Sequence, residues 1–364
     1  MILSEKTPLI KYHCDDKEDL KGRTVRTEEK KKKLLLGLLL LVLLAVVLIS
    51  FSLGRYPVPL TVVLQAVAHQ IFPQTVVSWE PQVEIALFHI RLPRILMGIL
   101  VGAGLSLSGA SFQALFRNPL VSPDVLGASG GAAFGAALAI LLGMGTAMIT
   151  LTSFAFGLLS LLLVFLISRR IRMDAVLSLI LCGIVVGSLF TAALSYLKLI
   201  ADPSSELPAI TYWLMGSLAS ARFQDLAFAA PPILLGSLLI WSLRWPLNLF
   251  TLGEEQALSM GVPVKVLRLL LLLAATLTTS AAVSVCGLIG WIGLVIPHIS
   301  LLLFGADYRL SLSGTALIGA IFTLLVDDAA RLMASSEVPI GILTALLGAP
   351  IFLGLLLREG RRLS

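Results

Sequence analysis

The chain has 364 residues, 57% hydrophobic and 13% charged, with a mean hydropathy of +0.98 and a formal net charge of +6. A soluble globular domain carries about 25% charged residues, so a water-soluble enzyme and a nucleic-acid-binding module are excluded, and the positive balance reads as the orientation bias of a membrane protein. Apolar residues arrive in uninterrupted blocks of about 20, the length that crosses a hydrocarbon core as a helix.

Residues 1–33 are polar and end in Lys30, Lys31, Lys32 and Lys33. They cannot bury a core and are expected to form a cytoplasmic basic tail, disordered or lying on the membrane surface. The first apolar block, 34–53, is longer than the 7–15 apolar residues of a signal peptide and lacks an A-x-A site, so it reads as a retained span. Further spans are expected at 92–115, 123–143, 146–168, 175–198, 226–243, 268–286, 288–304, 312–333 and 339–357. That makes an all-α polytopic protein of about ten transmembrane helices, with residues 34–364 as one transmembrane domain. The third and eighth spans are Gly-rich and are expected to be short or broken. The stretch 210–218, with Tyr212 and Trp213, predicts an interfacial or re-entrant helix.

Placing the N-terminus inside puts 21 of the 27 Lys and Arg residues on the inner side, which predicts that both termini are cytoplasmic. Gly98/Gly102, Gly131/Gly135 and Gly183/Gly187 are small-xxx-small pairs that let helices approach closely. A weak echo between 108–138 and 286–322 suggests two related five-helix halves, a construction common in transporters.

Chemistry is sparse. Cys14, Cys182 and Cys286 are odd in number and lack metal-site spacing. There is no H-E-x-x-H and no Gly-Lys dipeptide, hence no Walker A loop for ATP. No catalytic or metal-ligating residue is assigned. Asp174, Asp225, Asp327 and Asp328 all fall near span ends rather than deep within them, so energy for active transport is expected from another subunit. The inner loop 244–268 then stands out. Glu254 and Glu255 occupy a first helical turn, where carboxylates complement the helix dipole, and Gly261 and Pro263 stop the helix. A short helix lying along the membrane suits contact with a soluble partner, and a solvated loop touching nothing is the plain alternative.

The residues also carry a specific resemblance. "RLPR" at 91–94, "GAGLSLSGASFQALFRNPLVSPDVLG" at 102–127, "YWLMGSL" at 212–218, "GEEQALSMGV" at 253–262, "GLIGWIGLVIPHI" at 287–299, "GADYR" at 305–309 and "LLVDDAARLMASSEVPIGILTALLGAPIFLGLLL" at 324–357 occur in order. Together they resemble the FecCD family of permeases, the membrane subunits of ATP-binding-cassette importers for iron-siderophores, haem, vitamin B12 or molybdate. The resemblance implies a permease working as two copies with two cytoplasmic ATPase subunits and an extracytoplasmic substrate-binding protein, in a prokaryotic cytoplasmic membrane. ATP and Mg²⁺ would be held by the ATPase, with no cofactor in this chain.

It also implies roles for particular residues. Glu254, Glu255, Ala257, Leu258 and Gly261 would form the coupling helix against the ATPase. Arg91, Arg94 and Arg331 would face outward and dock the binding protein, though interfacial snorkelling is the alternative. Asn118, Pro119 and Leu120 would narrow the inner mouth of the pathway. His298 reads as a structural histidine. Three positions depart from the family pattern: Leu301 for arginine, Tyr308 for histidine, and Asp328 as a second carboxylate beside Asp327. Asp328 lies three residues before Arg331 and is placed to pair with it on one helical face. An ion-coupled secondary transporter or channel acting without an ATPase is the competing class, with a membrane scaffold behind it. Which substrate is carried is not written in these motifs.

Overall fold

Inside a bilayer the backbone must satisfy its N–H and C=O groups internally, which leaves helices or a closed barrel. The computed structural model describes residues 9–54, 56–72, 79–334 and 336–363, and these take the helical solution. The elements are α1 (Leu9–Ser52), α2 (Leu60–Ile71), α3 (Pro81–Glu84), a π-helical stretch (Ile85–Arg91) and α4 (Leu92–Phe116). A 3₁₀ turn (Pro123–Leu126) leads into α5 (Ala128–Leu141), α6 (Thr146–Ser168), α7 (Ala175–Ile200), α8 (Glu206–Leu214) and α9 (Phe223–Ser242). The rest are α10 (Arg244–Thr251), α11 (Glu254–Ser259), α12 (Val264–Cys286), α13 (Ile292–Phe304), α14 (Tyr308–Leu332) and α15 (Ile340–Leu363).

Among the described residues, eight helical segments are long and apolar enough to cross a membrane. The remaining two apolar helices are α5 and α13, with 14 and 13 residues. They are the third and eighth of the expected spans, and both are short. Each follows a break in which a non-glycine residue takes positive φ, Arg117 at 46° before α5 and Trp291 at 72° before α13.

Three elements differ from expectation. α1 continues unbroken from Leu9 into the first apolar block, so helix extends through much of the segment expected as a disordered or surface-lying tail. Lys and Glu are good helix formers, and Glu29 and Lys33 pair at 2.7 Å one turn apart. Residues 1–8 of that tail lie outside the described residues. The second span starts at Pro81 rather than 92, through the π-helical stretch; Pro93 offers no N–H to the carbonyl of His89, and the helix widens just before it. The interfacial helix ends at Leu214, because Gly216 at φ 72° turns the chain against the Leu288 carbonyl. α2 has no counterpart in the sequence reading; it is too short to be found by span length.

Alternating crossings give the bundle two ends. The proximal end holds Lys32 beside Gly305, Asn248 bonded to Asp307, and Glu254 paired with Arg268. The distal end holds Ser50, Arg91, Arg94 and Asp327, with Ile340 bonded to the Gly216 carbonyl at 2.9 Å. α4, α12 and α14 form the inner layer and are mostly buried, whereas α1, α6, α7, α9 and α15 leave most of their apolar surface exposed. Small residues set the closest approach. A Cβ on Gly131 or Gly135 of α5 would sit 2.5 Å from the Phe156 or Thr152 carbonyl of α6, so that pair of helices touches backbone to backbone, as the small-xxx-small spacing predicts.

Candidate functional site

At the proximal end, α10 and α11 lie between the spans α9 and α12. Gly253, at φ 133°, turns one short helix into the next and carries no Cβ because Gln256 packs over it. α11 then ends in a paired closure: Gly261 N–H donates to the Leu258 carbonyl (3.0 Å) and Val262 N–H to the Ala257 carbonyl (2.9 Å), with Gly261 at φ 82°. This is the glycine stop that the sequence predicts at Gly261. Val262 is buried behind it and completes the cap.

The five residues singled out on α11 come together and divide into two faces. Ala257 is fully buried, and Glu254 forms an ion pair with Arg268 of α12, so these two hold the helix onto the bundle. Glu255 and Gly261 are exposed, and Leu258 is 58% exposed beside Leu252 at 61% and Met260 at 55%. The outer face is therefore apolar with an acidic edge, on a helix pinned from behind. Asn248 was not foreseen: its amide donates to Asp307 at 2.6 Å and its carbonyl accepts from the Tyr308 N–H at 2.7 Å, tying α10 to the turn before α14. Burial presses the Asp307 carboxyl upward, but hydrogen bonds from Asn248 and Arg309 outweigh it and hold the group below the ordinary carboxylate range. A lone asparagine gives no local signal of a contact 59 residues away.

Asn118, Pro119 and Leu120 follow α4 as an exposed turn at the same end. The helix stops earlier than Pro119 requires: Arg117 is left-handed, and Asn118 N–H donates back to the Gln113 carbonyl at 3.1 Å. Asn118 Oδ1 then accepts from the Leu120 N–H at 2.9 Å, which fixes the turn. Leu120 is 53% exposed.

The arginines at the distal end are not on the surface. Arg91, Arg94 and Arg331 are 5%, 6% and 6% exposed. Arg94 grips Asp327 with Nε and Nη2 (2.9–3.1 Å) and Glu337 with Nη1 (2.9 Å). Arg331 lies 3.3 Å from Asp327 and pairs with Asp328, the i,i+3 contact the sequence suggested; Ser50 of α1 donates to Asp328 at 2.6 Å. Arg91 donates to the carbonyls of Phe51 and Tyr56. Buried charges are costly unless paired, and these carboxylates and carbonyls supply the pairing. Three helices and the α14–α15 loop are clamped there. His298, also 4% exposed, sits within α13 behind Pro297.

The fold and these sites define a class: an all-helical, multi-pass membrane permease. Residues 40–358 match the FecCD transport family. The chain is 41% identical to the molybdate import system permease protein MolB of Haemophilus influenzae over 84% of this chain and 90% of that one. It is 42% identical to the vitamin B12 import system permease protein BtuC of Salmonella typhi, over 76% and 85%, and to a probable iron chelatin transport system permease of Helicobacter pylori, over 75% and 83%. A solved metal-chelate type ABC transporter in an inward-facing conformation superposes with a TM-score of 0.79 at 41% identity, covering 89% of this chain and 99% of that one. The chain belongs to the FecCD transport family, and it is a transmembrane permease subunit of an ABC importer, whose ATPase is a separate subunit.

Proposed function

We propose that this permease imports a chelated metal or metal cofactor, with α11 as the lever that a cytoplasmic cassette ATPase moves. The observation that carries the reading is α11 itself: Leu252, Leu258 and Met260 stand exposed on a helix whose back is locked by Ala257 and the Glu254–Arg268 pair. An exposed apolar cluster on a rigid support fits a partner's groove, and α11 joins directly to α12 of the inner layer, so a push on it moves the bundle. The proximal end is then cytoplasmic, and ATP and Mg²⁺ belong to the partner.

A second copy of the chain completes the pathway. α7 exposes Ser188, Thr191 and Ser195 along one face, with Asp124 at the start of the same groove of about 490 Å³. The hydroxyls bond back to carbonyls four residues earlier at 2.8–2.9 Å, yet a hydroxyl-lined groove on a spanning helix still belongs toward water or protein rather than lipid. The Asn118–Leu120 turn is the natural constriction at its inner mouth. At the distal end an acidic binding protein reaches Arg94 by exchanging with Glu337, whose side chain is 25% exposed and therefore the replaceable partner.

The test is ATPase stimulation. A cassette ATPase reconstituted with the chain should hydrolyse ATP faster when loaded binding protein is added, and Glu254→Lys/Glu255→Lys should abolish that response while the chain stays folded. An unchanged response in the double variant would refute the assignment of α11.

A further inference from the structure

A groove runs down the outside of the bundle where α6 and α12 meet. Its deeper part, about 580 Å³, is lined by apolar side chains alone, among them Ala155, Leu158, Leu162 and Phe165 of α6 and Leu269 and Leu273 of α12. Toward the proximal end it passes into a second hollow of about 470 Å³ that shares Phe165, Leu269 and Leu272 and reaches the start of α7. The chemistry changes there: Arg169, Lys265 and Arg268 border it.

Two buried polar atoms in this hollow have no hydrogen-bond partner among the described residues. Ser178, 2% exposed, lines it, and its hydroxyl is without a hydrogen-bond partner. Arg268 gives one terminal nitrogen to Glu254, but its buried Nε has no acceptor. The charged side chains lining the hollow are Arg169, Lys265 and Arg268; Glu254 and Asp174 are the carboxylates that interact with Arg268 from outside that lining. Glu254 is committed to Arg268, and Asp174 caps α7 by accepting from the Val176 and Leu177 N–H groups at 2.9 and 3.0 Å. Among the described residues, Arg169, stacked 5.5 Å from the Phe165 ring, and Lys265 have no carboxylate partner.

We propose that this groove is a binding site for an anionic phospholipid. The phosphate sits against Arg169, Lys265, the Arg268 Nε and the Ser178 hydroxyl, and one acyl chain fills the apolar part. From Ala155 to Arg169 the groove runs about 21 Å at 1.5 Å per residue, enough to cross one leaflet of about 15 Å. A free phosphate would leave that length empty, and a zwitterionic headgroup would carry its own cation into a site that already has two to spare. Basic hollows between spans at the cytoplasmic face are suited to anionic headgroups.

The full-length chain, purified in mild detergent and exchanged against phosphatidylglycerol or phosphatidylcholine, tests this by native mass spectrometry. Phosphatidylglycerol is expected to be retained in preference. Arg169→Gln/Lys265→Gln should weaken its retention by on the order of 25-fold, about fivefold for each cation, and leave phosphatidylcholine unchanged. Ala155→Trp, which fills the exposed apolar groove without touching charge, should weaken retention of both lipids. Equal retention of the two lipids by the unaltered chain, retention of phosphatidylglycerol untouched by either variant, or full displacement by soluble glycerophosphate would each overturn the proposal. The first and last need no variant to fold.

Discussion

Leu258→Glu separates the two faces of α11. In the free chain this side chain is 58% exposed, so the substitution should change the chain's own stability by no more than about 0.5 kcal/mol, as surface replacements do. Buried in a partner, a leucine gains about 1.5–3 kcal/mol over full exposure; with a little over half of its surface still to bury, the loss is about 1–2 kcal/mol before any cost of desolvating the new carboxylate. At 1.4 kcal/mol per tenfold, affinity for the ATPase should fall about 10-fold or more. Two assays on one preparation decide it: the thermal midpoint of the isolated permease, and titration of ATPase stimulation against permease concentration. The reasoning fails if the titration does not shift, or if the isolated chain loses more than about 2 kcal/mol, which would place Leu258 in the fold's own core.

Four other outcomes follow from the same geometry. Arg94→Gln should destabilise the chain by about 3–5 kcal/mol by removing the guanidinium hydrogen-bonded to buried Asp327 and leaving that carboxylate only Arg331 at 3.3 Å; Arg94→Gln/Asp327→Asn should recover part of that in a double-mutant cycle, and strict additivity would show that the clamp is not a unit. Gly135→Leu should cost about 1–3 kcal/mol, because its Cβ meets the Thr152 carbonyl at 2.5 Å, whereas Gly145→Ala, with open space around it, should be close to neutral in the same melt. Arg117→Gly should raise stability by up to about 1 kcal/mol by relieving a left-handed non-glycine residue, and lowered import in the same variant would tie that conformation to the inner mouth. Asp174 is held below the ordinary carboxylate range by N–H groups of Leu177 and Val176; a depressed folded value means its contribution is full above about pH 4 and is lost as the pH falls through the folded value. Asp174→Ala should therefore cost about 1 kcal/mol at neutral pH, with Asn retaining most of it, and the Ala penalty should shrink in acid.

The sequence made visible whatever depends on neighbours along the chain. Apolar length marked the spans, including the two short ones, because a bilayer rewards nothing else so simply. Gly261 and Pro263 marked the end of α11, and three-residue spacing marked Asp328 with Arg331. Contacts closed across the fold had no such signature. Arg94 meets Asp327 from 233 residues away and Glu337 from 243, and arginines near span ends look like surface anchors until those carboxylates are seen beside them. The clue was there in number: Asp327, Asp328 and Glu337 cluster at one span end, more negative charge than a membrane surface site needs. Likewise the five residues of α11 were found together, but their division into an inner pair and an outer face required Ala257 to be seen buried and Arg268 to be seen arriving from α12.

The central claim is that this chain is moved from outside itself. Uptake of labelled metal chelate into proteoliposomes, with the chain reconstituted with and without a cassette ATPase and its binding protein, tests it most directly. Uptake should require all three proteins and ATP, and should collapse when ATP is replaced by a non-hydrolysable analogue. Uptake by the chain alone, driven by a proton or sodium gradient, would contradict the account.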